Sequence, residues 1–163
     1  MLPEYNVILV ATDFTHHSVL AFKHAAMLAR KNDAQIHLMH VVPIIDSSMR
    51  GFLSTVLGEE KVAELTHLNQ QKAHHEIKAE LDEFARTELA DHPEDLARFA
   101  DSHIITDDPV EGILKLAADL KADVLVMGTH DRGVVEHFFI GSVTEKVIHR
   151  SLCPVFVVPL SKD

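Results

Sequence analysis

The stretch "VLVMGTHDRGVVEHFFIGSVTEKV", Val124 to Val147, decides how the chain is built. It begins with an unbroken apolar run, Val124 to Met127, as expected of a strand buried on both faces. It ends in a helix: Ser142 reads as the N-cap, and Glu145 three residues later completes a capping box. Between them lie Gly128, His130, Asp131, Arg132 and Gly141. Two readings are open for that middle part. The glycines are turn residues and Ser142 is only a cap, or a ligand approaches the backbone at Gly128 and an anion meets the amides of the helix amino terminus.

Outward from this unit the same alternation repeats. "YNVILVA", Tyr5 to Ala11, is another apolar strand. After it Thr15 can cap a helix whose apolar face is Phe22, Ala25, Ala26 and Ala29. Residues 34–42, "AQIHLMHVV", form a second strand, and Pro43 to Gly58 reads as a loop with a short helical turn. A long amphipathic helix spans Glu59 to about Leu89, with Ile77, Leu81 and Phe84 inward, and Pro93 interrupts the pattern. "DSHIITD", Asp101 to Asp107, is a third strand. "DPVEGILKLAADL" starts a helix with Asp108 at the cap and Pro109 at the first helical position. "CPVFVVPL" is the last strand. The predicted class is α/β: a five-stranded parallel doubly wound sheet of order 3-2-1-4-5, Rossmann-like, with helices on both faces. Nothing in the composition divides residues 1–163, so one domain is expected.

That order places the winding reversal between the first and fourth strands, where doubly wound sheets bind ligands. The residues at those two strand ends are Ala11, Thr12 and Asp13 on one side and Met127 and Gly128 on the other. Asp13 could accept a hydrogen bond from a ribose hydroxyl. Familiar phosphate loops are missing, both G-x-x-x-x-G-K-[ST] and a G-x-G-x-x-G after the first strand. A response regulator is excluded, because the first strand ends in Asp13 alone and Lys162 lies too near the chain end.

Composition narrows the partners. A formal net charge of −10 argues against nucleic acid and against anionic membrane surfaces. The opening "MLPEYNVILVATDF" has neither the basic flank of a signal peptide nor the length of a membrane span, so a cytoplasmic location is expected. A single cysteine, Cys153, excludes an internal disulfide. The 13 histidines are scattered without metal-ligand spacing and read as solvated helix-surface residues, so no resident metal is expected.

Taken together, "ILVATDFT", "LMHVV" and "MGTH…GSVTEKVIHRSLCPVFVV" resemble the universal stress protein family along essentially the whole chain. The resemblance implies a stress-response protein with five parallel strands, commonly dimerised through the last strand. It also implies one of two branches, one binding ATP through G-x-x-G-x9-G-[ST] and the other lacking that motif. Here Gly128 and Gly141-Ser142 match at the family spacing, while Asp131 stands where the middle glycine would be. The resemblance puts the ribose at Asp13, and adenine at the Val41 backbone and the apolar surface near Ala11 and Met127. Phosphates would meet Gly128, Gly141, Ser142 and the amides of Val143 and Thr144.

Asp131 leaves three outcomes open: the side chain faces solvent, it shares a Mg²⁺ with the phosphates, or it abolishes binding. A carboxylate about 4 Å from a phosphate repels it by roughly 1 to 4 kcal/mol. Arg132 could offset that charge, and His130 is expected to pack over the ligand. The leading expectation is therefore a homodimeric binding module, paired through Pro154 to Val158, that holds ATP or another adenine nucleotide, with or without Mg²⁺, and engages protein partners. The alternatives are a protein-interaction module without nucleotide and a very slow ATPase. No catalytic base with an orienting partner can be named.

Overall fold

The structure, a computed structural model, describes residues 1–44, 46–129 and 140–159. Five strands, β1 (Val7–Ala11), β2 (Gln35–Val42), β3 (Phe99–Thr106), β4 (Val124–Gly128) and β5 (Val155–Val158), form one parallel sheet of order β3-β2-β1-β4-β5. The helices are α1 (His16–Asn32), α2 (Ser47–Leu57), α3 (Glu59–Glu88), α4 (Pro93–Leu96), α5 (Pro109–Asp119) and α6 (Ser142–Arg150).

The apolar run of β1 has a direct cause. Ile8 and Val10 pack with Phe22 and Ala25 of α1 and Leu81 of α3, whereas Leu9 between them packs with Ile113 of α5 and Val147 of α6. Successive side chains point to opposite faces, and both faces are covered, so no polar alternation survives. Full burial of a side chain such as Phe22 contributes about 1.5–3 kcal/mol. At the amino edge of the sheet, the Asp123 carboxylate accepts the N–H groups of Asn6 and Val7 at 2.8 and 2.9 Å, tying the start of β1 to the turn before β4.

Three boundaries differ from the sequence expectation. Pro43 to Gly58 contains an 11-residue helix rather than a brief turn, because Asp46 caps α2 by accepting from Ser48 N–H. Pro93 opens the short α4 instead of merely ending a helix, since proline suits the first helical turn. β3 begins at Phe99, two residues before the expected Asp101, with Phe99 paired to Ile36 across a register shift. α4 is anchored by Asp95, a buried carboxylate paired with Arg30 of α1. That guanidinium holds the carboxyl below its ordinary range. Among the described residues no helix is long and apolar enough to cross a membrane.

Candidate functional site

The winding reverses between β1 and β4, which are neighbours with Ala11 opposite Met127 at their carboxyl ends. α1 leaves from the first of these ends on one face of the sheet. α5 and α6 lie on the other face, around Met127. Ala11, Thr12, Asp13, Met127 and Gly128 therefore lie together at the carboxyl edge of the sheet, where the expected notch would be. Val41, near the end of β2, belongs to the same edge through the pairing of Ala11 with Met39 two residues before it.

Each of these residues is fixed by a nameable contact. Thr12 N–H donates to Met39 O at 2.9 Å, extending the sheet ladder one residue past β1. Asp13 is exposed, and its Oδ1 accepts from Thr15 N–H at 3.0 Å, Thr15 Oγ1 at 2.6 Å and Ser18 Oγ at 2.7 Å. Thr15 does occupy the N-cap position of α1, but its hydroxyl donates to Asp13 instead of capping the helix. The carboxylate is thus immobilised beside the helix start. Val41 presses on Gly112 of α5 so closely that a Cβ there would lie 3.2 Å from Val41 Cγ2. Gly112 sets how near α5 comes to the sheet.

On the opposite side of the notch, the first turn of α6 is tied to the end of β4. Thr144 is buried, and its hydroxyl donates to Gly128 O at 3.3 Å. Beyond Gly128 the chain keeps to the sheet, with Thr129 N–H donating to Val158 O at 3.0 Å. The expected capping box is corrected here. Gly141 is the N-cap, with no side-chain cap bond, and Ser142 is the first helical residue. Glu145 N–H donates to Gly141 O, so Glu145 sits one position too late to reach back to the cap. The amides of Ser142, Val143 and Thr144 have no partner in the helix ladder, as in any first turn. His130, Asp131 and Arg132 lie outside the described residues.

Phe14 of this edge escaped the sequence reading, whereas His40, near the end of the second strand, could be placed at its rim from the sequence. Phe14, directly after Asp13, has φ 62°, a left-handed conformation uncommon for a bulky residue. Its ring meets His40 of β2 at a centroid distance of 4.7 Å, and His40 Nδ1 lies 2.8 Å from Thr12 O. The only signal was the position of His40 in "LMHVV", one residue before Val41. The picture of histidines on solvated helix surfaces also needs correction. His37, His40 and His103 lie on strands, half-buried, each with a partner, because cross-strand register supplies polar company that sequence spacing does not show. Among the described residues, His92, Glu94 and Asp95 come close enough to share an ion, but the Asp95 carboxylate is already occupied by Arg30.

The donor set around the notch is an apolar floor, one oriented carboxylate and a first turn of amides. It suits a ligand with a flat apolar part, hydroxyls and an anionic tail. The model of the universal stress protein family matches residues 4–159. Universal stress protein MJ0577 of Methanocaldococcus jannaschii is 31% identical over 157 residues, covering 94% of each chain. The solved structure of MJ0577 superposes with a TM-score of 0.71 at 28% identity, covering 98% of this chain and 99% of that one. Two more distant structures share the fold. One is a universal stress protein in complex with cAMP, with TM-score 0.63, 21% identity and coverage of 97% and 99%. The other is from Archaeoglobus fulgidus in complex with dAMP, with TM-score 0.57, 15% identity and coverage of 96% and 98%.

Proposed function

Because this chain belongs to the universal stress protein family, we propose that it binds an adenine nucleotide across the carboxyl ends of β1 and β4 and acts as a dimeric binding module. The observation that carries this reading is the bond from Thr144 to the Gly128 carbonyl, which holds the α6 amino terminus against the end of β4. It sets a first turn of amides across the notch from the immobilised Asp13 carboxylate. In this reading Asp13 meets the ribose, Val41, Ala11 and Met127 meet the base, and Gly128, Gly141, Ser142, Val143 and Thr144 meet phosphate. The cAMP and dAMP complexes of the two distant relatives support adenine, a pentose and one phosphate as the common ligand chemistry. ATP extends that unit by two phosphates and is the member of the class the glycine spacing favours.

Three outcomes are open for Asp131: it faces solvent and leaves binding unchanged, it repels the outer phosphates with Arg132 in compensation, or it shares a Mg²⁺ with them. Calorimetric titration with ATP, with and without Mg²⁺, on the wild type and Asp131→Gly tests this. Saturable wild-type binding is expected. A repelling Asp131 predicts tighter binding by the glycine variant, and a metal-sharing Asp131 predicts a smaller Mg²⁺ effect. A flat wild-type isotherm at millimolar ATP and AMP would overturn the nucleotide reading.

A second reading has its own support. α2 buries none of its residues, and Met49, Phe52 and Val56 stand exposed at helical spacing on one stripe. That surface suits association with another protein, and it is compatible with nucleotide binding between β1 and β4.

A further inference from the structure

We infer that His40 is a positioning residue for the nucleotide site, clamping the β1–α1 loop on both sides of Asp13; this rests on the nucleotide reading above. The loop needs such a clamp. Between Thr12, which still bonds to β2, and Ser18, which is inside α1, the chain turns through a left-handed Phe14. A bulky residue held there is strained and persists only where neighbours over-determine it. One stabilising contact is local: Phe14 N–H donates to Thr12 Oγ1 at 3.2 Å. The others come from His40, on the neighbouring strand.

His40 reaches both residues that flank Asp13. Its Nδ1 lies 2.8 Å from the Thr12 carbonyl oxygen, which can only accept, so Nδ1 carries the hydrogen. Its ring packs against the Phe14 ring at 4.7 Å with the planes 59° apart. The hydrogen bond fixes where the strand ends, and the ring contact fixes the direction of the turn. Asp13, between them, is then aimed by its own bonds to Thr15 and Ser18. Along β2 the next residue, Val41, has its side chain on the opposite face of the sheet, against Gly112 of α5. Adjacent residues of one strand thus serve two parts of the site: Val41 borders the base, and His40 acts at one remove through Thr12 and Phe14.

Calorimetric titration with AMP on the wild type, His40→Asn, His40→Gln and His40→Ala separates positioning from simple packing. The Asn side-chain nitrogen is as many bonds from Cα as Nδ1 and can restore the bond to Thr12. The Gln nitrogen is one bond further out and cannot. We expect about tenfold weaker AMP binding for the Gln and Ala variants, the size of one lost hydrogen bond in a site. The Asn variant, which restores the bond to Thr12 but lacks the ring against Phe14, should bind more tightly than the Gln and Ala variants and more weakly than wild type. Equal affinities for Asn and Gln would overturn the clamp while leaving the nucleotide reading intact, and so would all variants matching wild type. No AMP or ATP binding by the wild type would overturn both. Independently of ligand and of variant folding, long-range nitrogen–proton correlations on the wild type should show His40 with its hydrogen on Nδ1. A neutral His40 protonated on Nε2 instead would refute the clamp.

Discussion

His37 of β2 and His103 of β3 meet with 3.0 Å between Nδ1 and Nε2, ring centroids 5.2 Å apart. That centroid distance is nearly the nitrogen separation plus two ring radii, so one nitrogen donates almost straight to the other. Both pKa values lie below the ordinary histidine value. For His37 the main cause is desolvation, helped by His103 and opposed by Asp101. For His103 it is again desolvation, with Asp101 raising and Lys78 lowering the value. Asp101 is itself held by Lys78 Nζ at 2.7 Å, which limits how much it can support a protonated pair. A histidine depressed in the folded state leaves the unfolded chain binding more protons, so stability drops as pH falls through and below the ordinary range near 6.5. Urea unfolding at about pH 7.5 and about pH 5.5 should show this loss, and His37→Gln should show a smaller one. An unchanged pH dependence in the variant would contradict the pairing. This pair was invisible in the sequence because its members are 66 residues apart and meet only through strand register. Asp13 was legible for the opposite reason, since a lone carboxylate right after a buried strand marks the strand end directly.

At the scale of elements, the link from β4 to α6 decides how the phosphate end of the site is held. Thr144→Val keeps the shape and removes the hydroxyl bond to Gly128, leaving that carbonyl to find another donor. The expected result is a stability loss of about 1 kcal/mol by denaturant unfolding, with a several-fold drop in nucleotide affinity by titration. Loss of affinity without loss of stability would still support the site; neither effect would argue against the tie. Strands and long helices were legible because each shows a burial pattern over many residues. The α6 cap was misplaced by one residue because serine is a good cap by type, while the actual cap is set by how Thr144 docks on β4. Pro43, Gly51, Gly58 and the serines make this segment read as a loop with a short helical turn, and α2 buries none of its residues to show a core-facing pattern in the sequence.

At the scale of the whole molecule, β5 pairs with β4 along one edge. The carbonyls of Pro154 and Val158 accept from Leu125 and Thr129 of the β4 side, so by alternation the backbone groups of Val155 and Val157 face outward. An apolar edge of that kind is normally covered or paired, which supports the proposed dimer through Pro154 to Val158. Val157→Pro removes one outward N–H without touching the β4 ladder. Light scattering should then report a monomer where the wild type is a dimer; a monomeric wild type would remove the dimer from the account. The strand order was legible from the alternation of elements, because crossover handedness and buried parallel strands leave few arrangements. The edge at which we propose the ligand binds follows from that order alone, whereas the contacts of His40 and the histidine pair needed coordinates.

The proposed function stands or falls on where an adenosine phosphate is held, which we put between the carboxyl ends of β1 and β4. Amide chemical shifts recorded during titration with AMP test it most directly. Saturable shifts are expected at Ala11 to Asp13, Val41, Met127 and Gly128, and Gly141 to Thr144, with weak ones at the far end of the sheet near Asn6 and Asp123. Shifts clustered elsewhere, or none at millimolar AMP, would contradict it.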